Sequence, residues 1–272
     1  MQNNDQYISI SQRCIKRDVV SSPYAFWLVA ALFAALVMLI ACKPSEEKSQ
    51  INLDTGVMRI EIDGQRFDVP LRYMYSHALA THGNWPTPKK EVAKVGALNL
   101  SVLLPDFRPY YSEDDARWKV RGHGDKAEVS IAKPVGGLTA WHDWYESSLQ
   151  RTSQLAAEGR FYANMPDNGG LTHYSEKTGD RYYAQDGRRL TISCDTAEPP
   201  PGFQGFYSPS CKVISNYKPG LIFEYYYALK YLPQWKEIDN GMRALFDKFE
   251  QSARASSIQA KPAGTKTSER IK

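Results

Sequence analysis

The chain has 272 residues, 42% of them hydrophobic and 24% charged, with a net charge of +4 and four cysteines. That is enough apolar material for a sizeable core in one large domain or two small ones. The positive excess is too mild for a nucleic-acid binder, which needs a concentrated basic patch to neutralise phosphates.

Read from the N-terminus, Arg13, Lys16 and Arg17 precede an uncharged run, YAFWLVAALFAALVMLIA, from Tyr24 to Ala41. A basic flank followed by an apolar stretch is the pattern of a secretory signal. The run closes on Leu39-Ile40-Ala41-Cys42, which resembles the bacterial lipobox. That resemblance implies cleavage before Cys42 and lipidation of its thiol, with more than one acyl chain giving stable anchoring. The alternative is an uncut single-pass helix, since eighteen apolar residues are near the lower limit for spanning a bilayer. The basic flank would hold the N-terminus in the cytoplasm, so either reading puts residues 43–272 on the far side of the membrane. Lys43, where retained lipoproteins carry Asp, favours the outer membrane with the domain facing the periplasm. Without residues 1–41 the chain would carry 31 basic and 28 acidic residues, a net charge of +3.

Residues 42–55 are polar and form a lipid-anchored tether. VMRIEIDGQRFDVP, residues 57–70, alternates apolar and polar side chains on both sides of Asp63-Gly64, a strong hairpin signal. Residues 76–92 read as a long loop, Ala97–Leu104 as a buried strand and 105–115 as loop. Trp118–Val120 and Glu128–Ala132 read as short strands around Gly122-His123-Gly124-Asp125. Leu138–Gln154 is a helix with Thr139 as its N-cap and Trp141, Trp144, Tyr145 and Leu149 on one stripe. Arg160–Ala163 is extended, and a Gly/Asn-rich loop follows. A second hairpin turns at Asp186-Gly187 between Tyr182–Ala184 and Arg189–Cys194. A third turns at Lys218-Pro219-Gly220. Pro233–Glu250 is a helix whose Trp235, Ile238, Met242, Leu245, Phe246 and Phe249 recur at helical spacing. No repeat of fixed period appears. The fold expected is α+β: mainly antiparallel twisted sheet built from hairpins, with two or more packed helices and the C-terminal one on the sheet. The expected domain is 56–250, either one body or two lobes divided near 135–170, and 251–272 is a disordered basic tail.

Cys194 and Cys211 form the remaining pair once Cys14 leaves with the signal and Cys42 becomes the anchor. In an oxidising compartment that pair reads as a disulfide. It would close the loop 195–210, in which Phe203, Phe206 and Tyr207 lie among glycines and prolines. Rings on a stapled loop lose little entropy on binding, which suits partner recognition. Trp85, in the 76–92 loop, is the fourth partner-binding candidate. The competing reading of these rings is cover for the sheet.

Catalytic signals are sparse. There is no GxSxG, no HExxH and no Cys/His cluster. Ser45-x-x-Lys48 has a Ser–Lys spacing but lies in the tether. Adjacent residues on a helix diverge, so His142 and Asp143 form no dyad. No phosphate loop or dinucleotide fingerprint is present, and no metal or cofactor is expected. An enzyme would have to assemble its site from His77, His82, His123 and the acidic loop of Asp106, Glu113, Asp114 and Asp115.

Three stretches resemble bacterial secretion-effector immunity lipoproteins, especially those that neutralise type VI phospholipase effectors: IDGQRFDVPLRYMY (62–75), NLSVLLPDFRP (99–109) and LPQWKEIDNGMRALFDKF (232–249). The resemblance implies a periplasm-facing inhibitor, without catalytic residues of its own, that binds a secreted toxic lipase and blocks its active site. A structural or assembly lipoprotein of the cell envelope is the second expectation. A periplasmic hydrolase with a loop-built histidine site is the third.

Overall fold

The computed structural model describes residues 51–259, apart from 161 and 166–168. The apolar run, Cys42 and the residues after 259 lie outside the described residues. Val57–Ile62 (β1) and Gln65–Pro70 (β2) pair antiparallel across Asp63-Gly64. Both turn residues have positive φ, 49° and 82°, which a two-residue hairpin requires and which Asp and Gly tolerate best. Ala93–Lys94 (β3) lies parallel to β1, so the small sheet runs β2-β1-β3.

The large sheet comprises Ala97–Leu103 (β4), Lys126–Ala132 (β5), Ala163–Met165 (β6), Leu171–Glu176 (β7), Gly179–Ala184 (β8), Leu190–Asp195 (β9), Ser210–Lys218 (β10) and Leu221–Ala228 (β11). Its order is β4-β5-β11-β10-β9-β8-β7-β6, with antiparallel pairing throughout. The Asp186-Gly187 and Pro219-Gly220 hairpins are both present. Strands from either side of residues 135–170 are neighbours in this sheet, and the described residues form one compact unit.

Burial alternates residue by residue along β10 and β11, as a strand with two unlike faces must. The first face carries Val213, Tyr217, Phe223, Tyr225 and Tyr227, with Leu100, Val129 and Ile192 from neighbouring strands. The small sheet packs on it with Ile60, Ile62, Phe67 and Val69. So does the helix Trp235–Gln259, through Trp235, Ile238, Met242, Leu245, Phe246 and Phe249. Fully burying one such ring contributes about 1.5–3 kcal/mol. A charged knot sits within this layer. Asp239, wholly buried, accepts from Arg188 Nη1 at 2.7 Å, Arg243 Nε at 2.8 Å and the Tyr225 hydroxyl at 3.2 Å. Arg243 in turn donates to Ser215 Oγ and the Asn216 carbonyl, both at 2.6 Å, which fastens the last helix to β10.

Several local readings change. Within the expected 76–92 loop, Tyr75–Ala80 (α1) is helical and follows a 3₁₀ turn, Leu71–Met74. Trp118 closes a short helix, Asp115–Trp118 (α2), in place of opening a strand. It is buried with Tyr75 and Leu103, and that ring packing decides the backbone where propensity did not. Gly137–Ala157 (α3) starts two residues ahead of Thr139, from Gly136 and Gly137 at φ 76° and 82°, with no side-chain cap. Pro233 lies in a 3₁₀ turn, Leu229–Gln234, that leads into Trp235–Gln259 (α4). This last helix runs nine residues past Glu250, into the segment expected to be a disordered tail. Ala253 is buried there, and Ser256 Oγ donates to Asp68 at 2.8 Å.

Candidate functional site

The second face of the large sheet is only half covered. Over β7 and β8, α3 packs Trp141 and Tyr145 against Tyr174 and Tyr183. The Tyr183 hydroxyl is within hydrogen-bonding distance of Ser148 and Thr152, at 2.9 and 3.1 Å. Beyond the helix the face is open. Register places Arg181, Ser193, Lys212, Tyr226 and Glu128 in one row across five strands. One step along, Glu224 Oε1 meets the Lys212 ammonium at 3.0 Å and accepts from the Tyr226 hydroxyl at 2.8 Å. Burial pushes the Glu224 carboxyl up, but those two partners outweigh it and the pKa falls below the ordinary value. The His123 ring lies parallel to Tyr226 at 6.3 Å, and burial pushes its pKa down, which favours the neutral imidazole at pH 7.

At one end of this open face stands the disulfide loop. Cys194 and Cys211 lie directly opposite each other on β9 and β10 and are bonded. Asp195 Oδ2 accepts from both the amide and hydroxyl of Ser210. The Tyr207 hydroxyl donates to the Thr196 carbonyl at 2.6 Å, so Tyr207 holds the loop together. Phe203 packs edge-on to Tyr207, and the Arg121 guanidinium lies 4.4 Å over Phe206. Phe203 and Phe206 remain 47% and 46% exposed. A polar cleft of about 310 Å³ opens beside the loop between Asp180, Arg181, Ser193, Asp195 and Lys212.

At the other end, where α3 begins, Pro134, Val135, Ala140, Trp141, Trp144, Ile214, Ile222 and Glu224 line an apolar cleft of about 270 Å³. Val135 is 99% exposed and Trp144 47%. The helical spacing puts Trp144 on one stripe with Trp141, Tyr145 and Leu149. It lies at the helix margin, stacked on Trp141 at 5.0 Å, because α3 covers only part of the sheet. The one local signal for this end was a valine between a proline and two glycines, with no sequence neighbour able to cover it.

Trp85 sits elsewhere. Its ring packs on Tyr75 and Tyr110 in the cluster around Trp118. The acidic loop is largely ion-paired: Arg108 with Asp106 and Asp114, Arg117 with Asp114, and Lys119 with Asp115. His77 and His82 are exposed around the end of α1, and His142 lies on α3. A pairing the sequence did not suggest is His173 Nε2 with Asp180 at 3.0 Å, under the Tyr182 ring. Among the described residues no group of three or more His, Cys, Asp or Glu side chains is placed to hold a metal ion. Among the same residues no helix is long and apolar enough to cross a membrane.

Fold and site together define an α+β domain with one sheet face half covered by α3, the disulfide loop at one end of its open half and the apolar cleft at the other. No family model matches the sequence, and no curated protein matches it. Among solved structures, the fold is similar to the Neisseria meningitidis iron-regulated outer membrane lipoprotein FrpD. The TM-score is 0.53 and the identity 15%, over 73% of this chain and 94% of that one. It is also similar to Smlt3025, an immunity protein of the Stenotrophomonas maltophilia type IV secretion system. There the TM-score is 0.49 and the identity 16%, over 71% and 93% of the two chains. At such identities the likeness is one of fold.

Proposed function

We propose that the chain is a lipid-anchored immunity protein of the bacterial envelope, which neutralises a secreted toxic effector, a lipase, by binding it through the open half of the large sheet. The observation that carries this reading is where the exposed rings lie. Among the described residues the exposed aromatic side chains are Trp144, Phe203 and Phe206, and all three border that face. Aromatic anchors, with an arginine over one of them, are the side chains that dominate protein–protein binding energy. A loop closed by a disulfide and by Tyr207 gives up little freedom on docking. The lipobox resemblance and the likeness of the fold to that of the outer membrane lipoprotein FrpD support the envelope location. The effector's class rests on the three stretches that resemble immunity lipoproteins. Neutralisation would be steric: a rigid face laid over the toxin's substrate entrance.

The test is capture from secreted and envelope fractions by residues 43–272, with wild type compared against Phe203→Ala/Phe206→Ala and Trp144→Ala. Tyr207 is left in place because it supports the loop. We expect wild type to retain a single secreted lipase, encoded beside this gene, and to restore growth when the two are co-expressed in the periplasm. Each variant should bind at least about tenfold more weakly. Retention of envelope-assembly proteins alone would replace the reading with that of a structural lipoprotein. Retention unaffected by the variants would move the interface off this face.

A further inference from the structure

The apolar cleft at the start of α3 has more definition than a bare exposed patch. Gly136 and Gly137 both adopt positive φ, so the chain turns sharply after Pro134 and presents Val135 outward, fully exposed. The floor is Ile214 and Ile222, diagonal neighbours on β10 and β11 with Glu224 directly opposite Ile214, and one wall is the Trp141–Trp144 stack. Its polar rim is Glu224. Lys212 and Tyr226 both address Oε1 of that carboxylate. Among the described residues Oε2 takes no hydrogen bond, and the side chain is 38% exposed. Glu128 is exposed and sits diagonally across the strand pair from Glu224, on the same face. Asp143 and Glu146 are exposed on α3 beside Trp144. Lys212 and Arg189 are paired with Glu224 and Glu146, and Lys133, next to Pro134, is held by Asp63 at 2.9 Å. An acidic surround on a chain that is basic as a whole is a local choice of partner charge.

We propose that this cleft is a specificity pocket for one bulky aliphatic or aromatic side chain of a protein partner, carried on a segment with lysine or arginine next to it. The inference deepens the reading of this face as a protein-binding surface, and commits the partner's contact to apolar-flanked-by-basic chemistry. The apolar side chain would fill the space between Val135, Trp144 and Ile222. The basic neighbour would reach Glu224 Oε2, whose carboxylate Lys212 already holds ionised. The cleft volume of about 270 Å³ suits a single side chain, not a cofactor.

The experiment needs no partner in hand. Residues 43–272, labelled with ¹⁵N, are titrated with three capped tripeptides, Lys-Leu-Lys, Lys-Ala-Lys and Glu-Leu-Glu, while the tryptophan indole N–H resonances are followed by NMR. Trp144→Phe identifies the relevant peak. We expect the Trp144 and Trp141 signals to move with Lys-Leu-Lys, at least about fivefold more tightly than with either control. Glu224→Lys should remove or invert the preference over Glu-Leu-Glu, with the rest of the spectrum unchanged. Equal response to Lys-Leu-Lys and Glu-Leu-Glu overturns the charge selection. No response at Trp144 to any peptide overturns the pocket. If the pocket fails while Phe203→Ala/Phe206→Ala still abolishes capture, the binding reading stands and only this inference falls.

Discussion

Replacing Asp239 by alanine tests the largest single electrostatic commitment in the core. The carboxylate is wholly buried and faces two guanidiniums and a phenol. Without it, Arg188 keeps Asp186 at 2.7 Å, but Arg243 is left with hydroxyl and carbonyl acceptors and no counter-charge. Breaking one side of a buried pair costs about 3–5 kcal/mol. Arg188 and Arg243 are 20% and 22% exposed, so some solvent relieves the orphaned charge and the lower end, about 3 kcal/mol, applies. For a domain of this size that lowers Tm by roughly 6–12 °C. Urea unfolding at pH 7 measures it directly. Asp239→Ala with Arg243→Met should cost less than the sum of the single changes, because the second substitution removes the unpaired cation. A loss below about 1 kcal/mol for Asp239→Ala, or full additivity in the double variant, would refute the argument that the carboxylate neutralises Arg243.

Three further outcomes follow from the same geometry. Asp125 accepts from Lys230, Tyr231 and Arg117; the Lys230 hydrogen bond is the main cause that brings its pKa down to about 2. A depressed carboxylate stabilises above its unfolded pKa and loses that contribution as pH falls through the folded one. Asp125→Asn should therefore cost about 1–2 kcal/mol at pH 7, with the deficit vanishing between pH 4 and 2; a deficit that is the same at pH 2 and pH 7 would contradict this. Cys194→Ala/Cys211→Ala opens a closure spanning 17 residues, worth about 3 kcal/mol by chain entropy. Guanidinium unfolding should show that loss, and partner capture should weaken further as the loop relaxes; unchanged stability would rule it out. Ending the chain at Glu250 removes Ala253 and the Ser256 hydroxyl that satisfies Asp68, so thermal unfolding should show a loss of about 2 kcal/mol, whereas a truly dispensable tail would show none.

Much of the fold is legible because its signals are local. Asp63-Gly64, Asp186-Gly187 and Pro219-Gly220 each mark a turn whose backbone few other residues tolerate, and the flanking alternation then fixes which side chains face inward. The helical stripe from Trp235 to Phe249 is equally self-evident, since six apolar residues at that spacing have one use. Leu171–Glu176 shows the opposite case. LTHYSE carries little apolar alternation, and it is a strand because β8 pairs with it. Trp118 behaves likewise: its ring cluster with Tyr75 and Tyr110 forms from distant segments and goes with helix at a residue that reads as strand.

The candidate site divides in the same way. Phe203, Phe206 and the cysteines that close their loop could be chosen from composition and spacing. Tyr207 could not be separated from them until its hydroxyl was placed on Thr196, and the half-burial of Trp85 against Tyr75 and Tyr110 could not be seen until those neighbours were placed. Trp144 and Val135 were out of reach for another reason. Exposure is not a property of a residue but of what covers it, and only the packed structure shows that α3 stops short of half a sheet face. The sequence alone determined the turns, the alternation and the cysteine pair, because each acts over a few bonds or a short loop. The tertiary structure decided which apolar groups stay in water, because that depends on elements far apart in the chain.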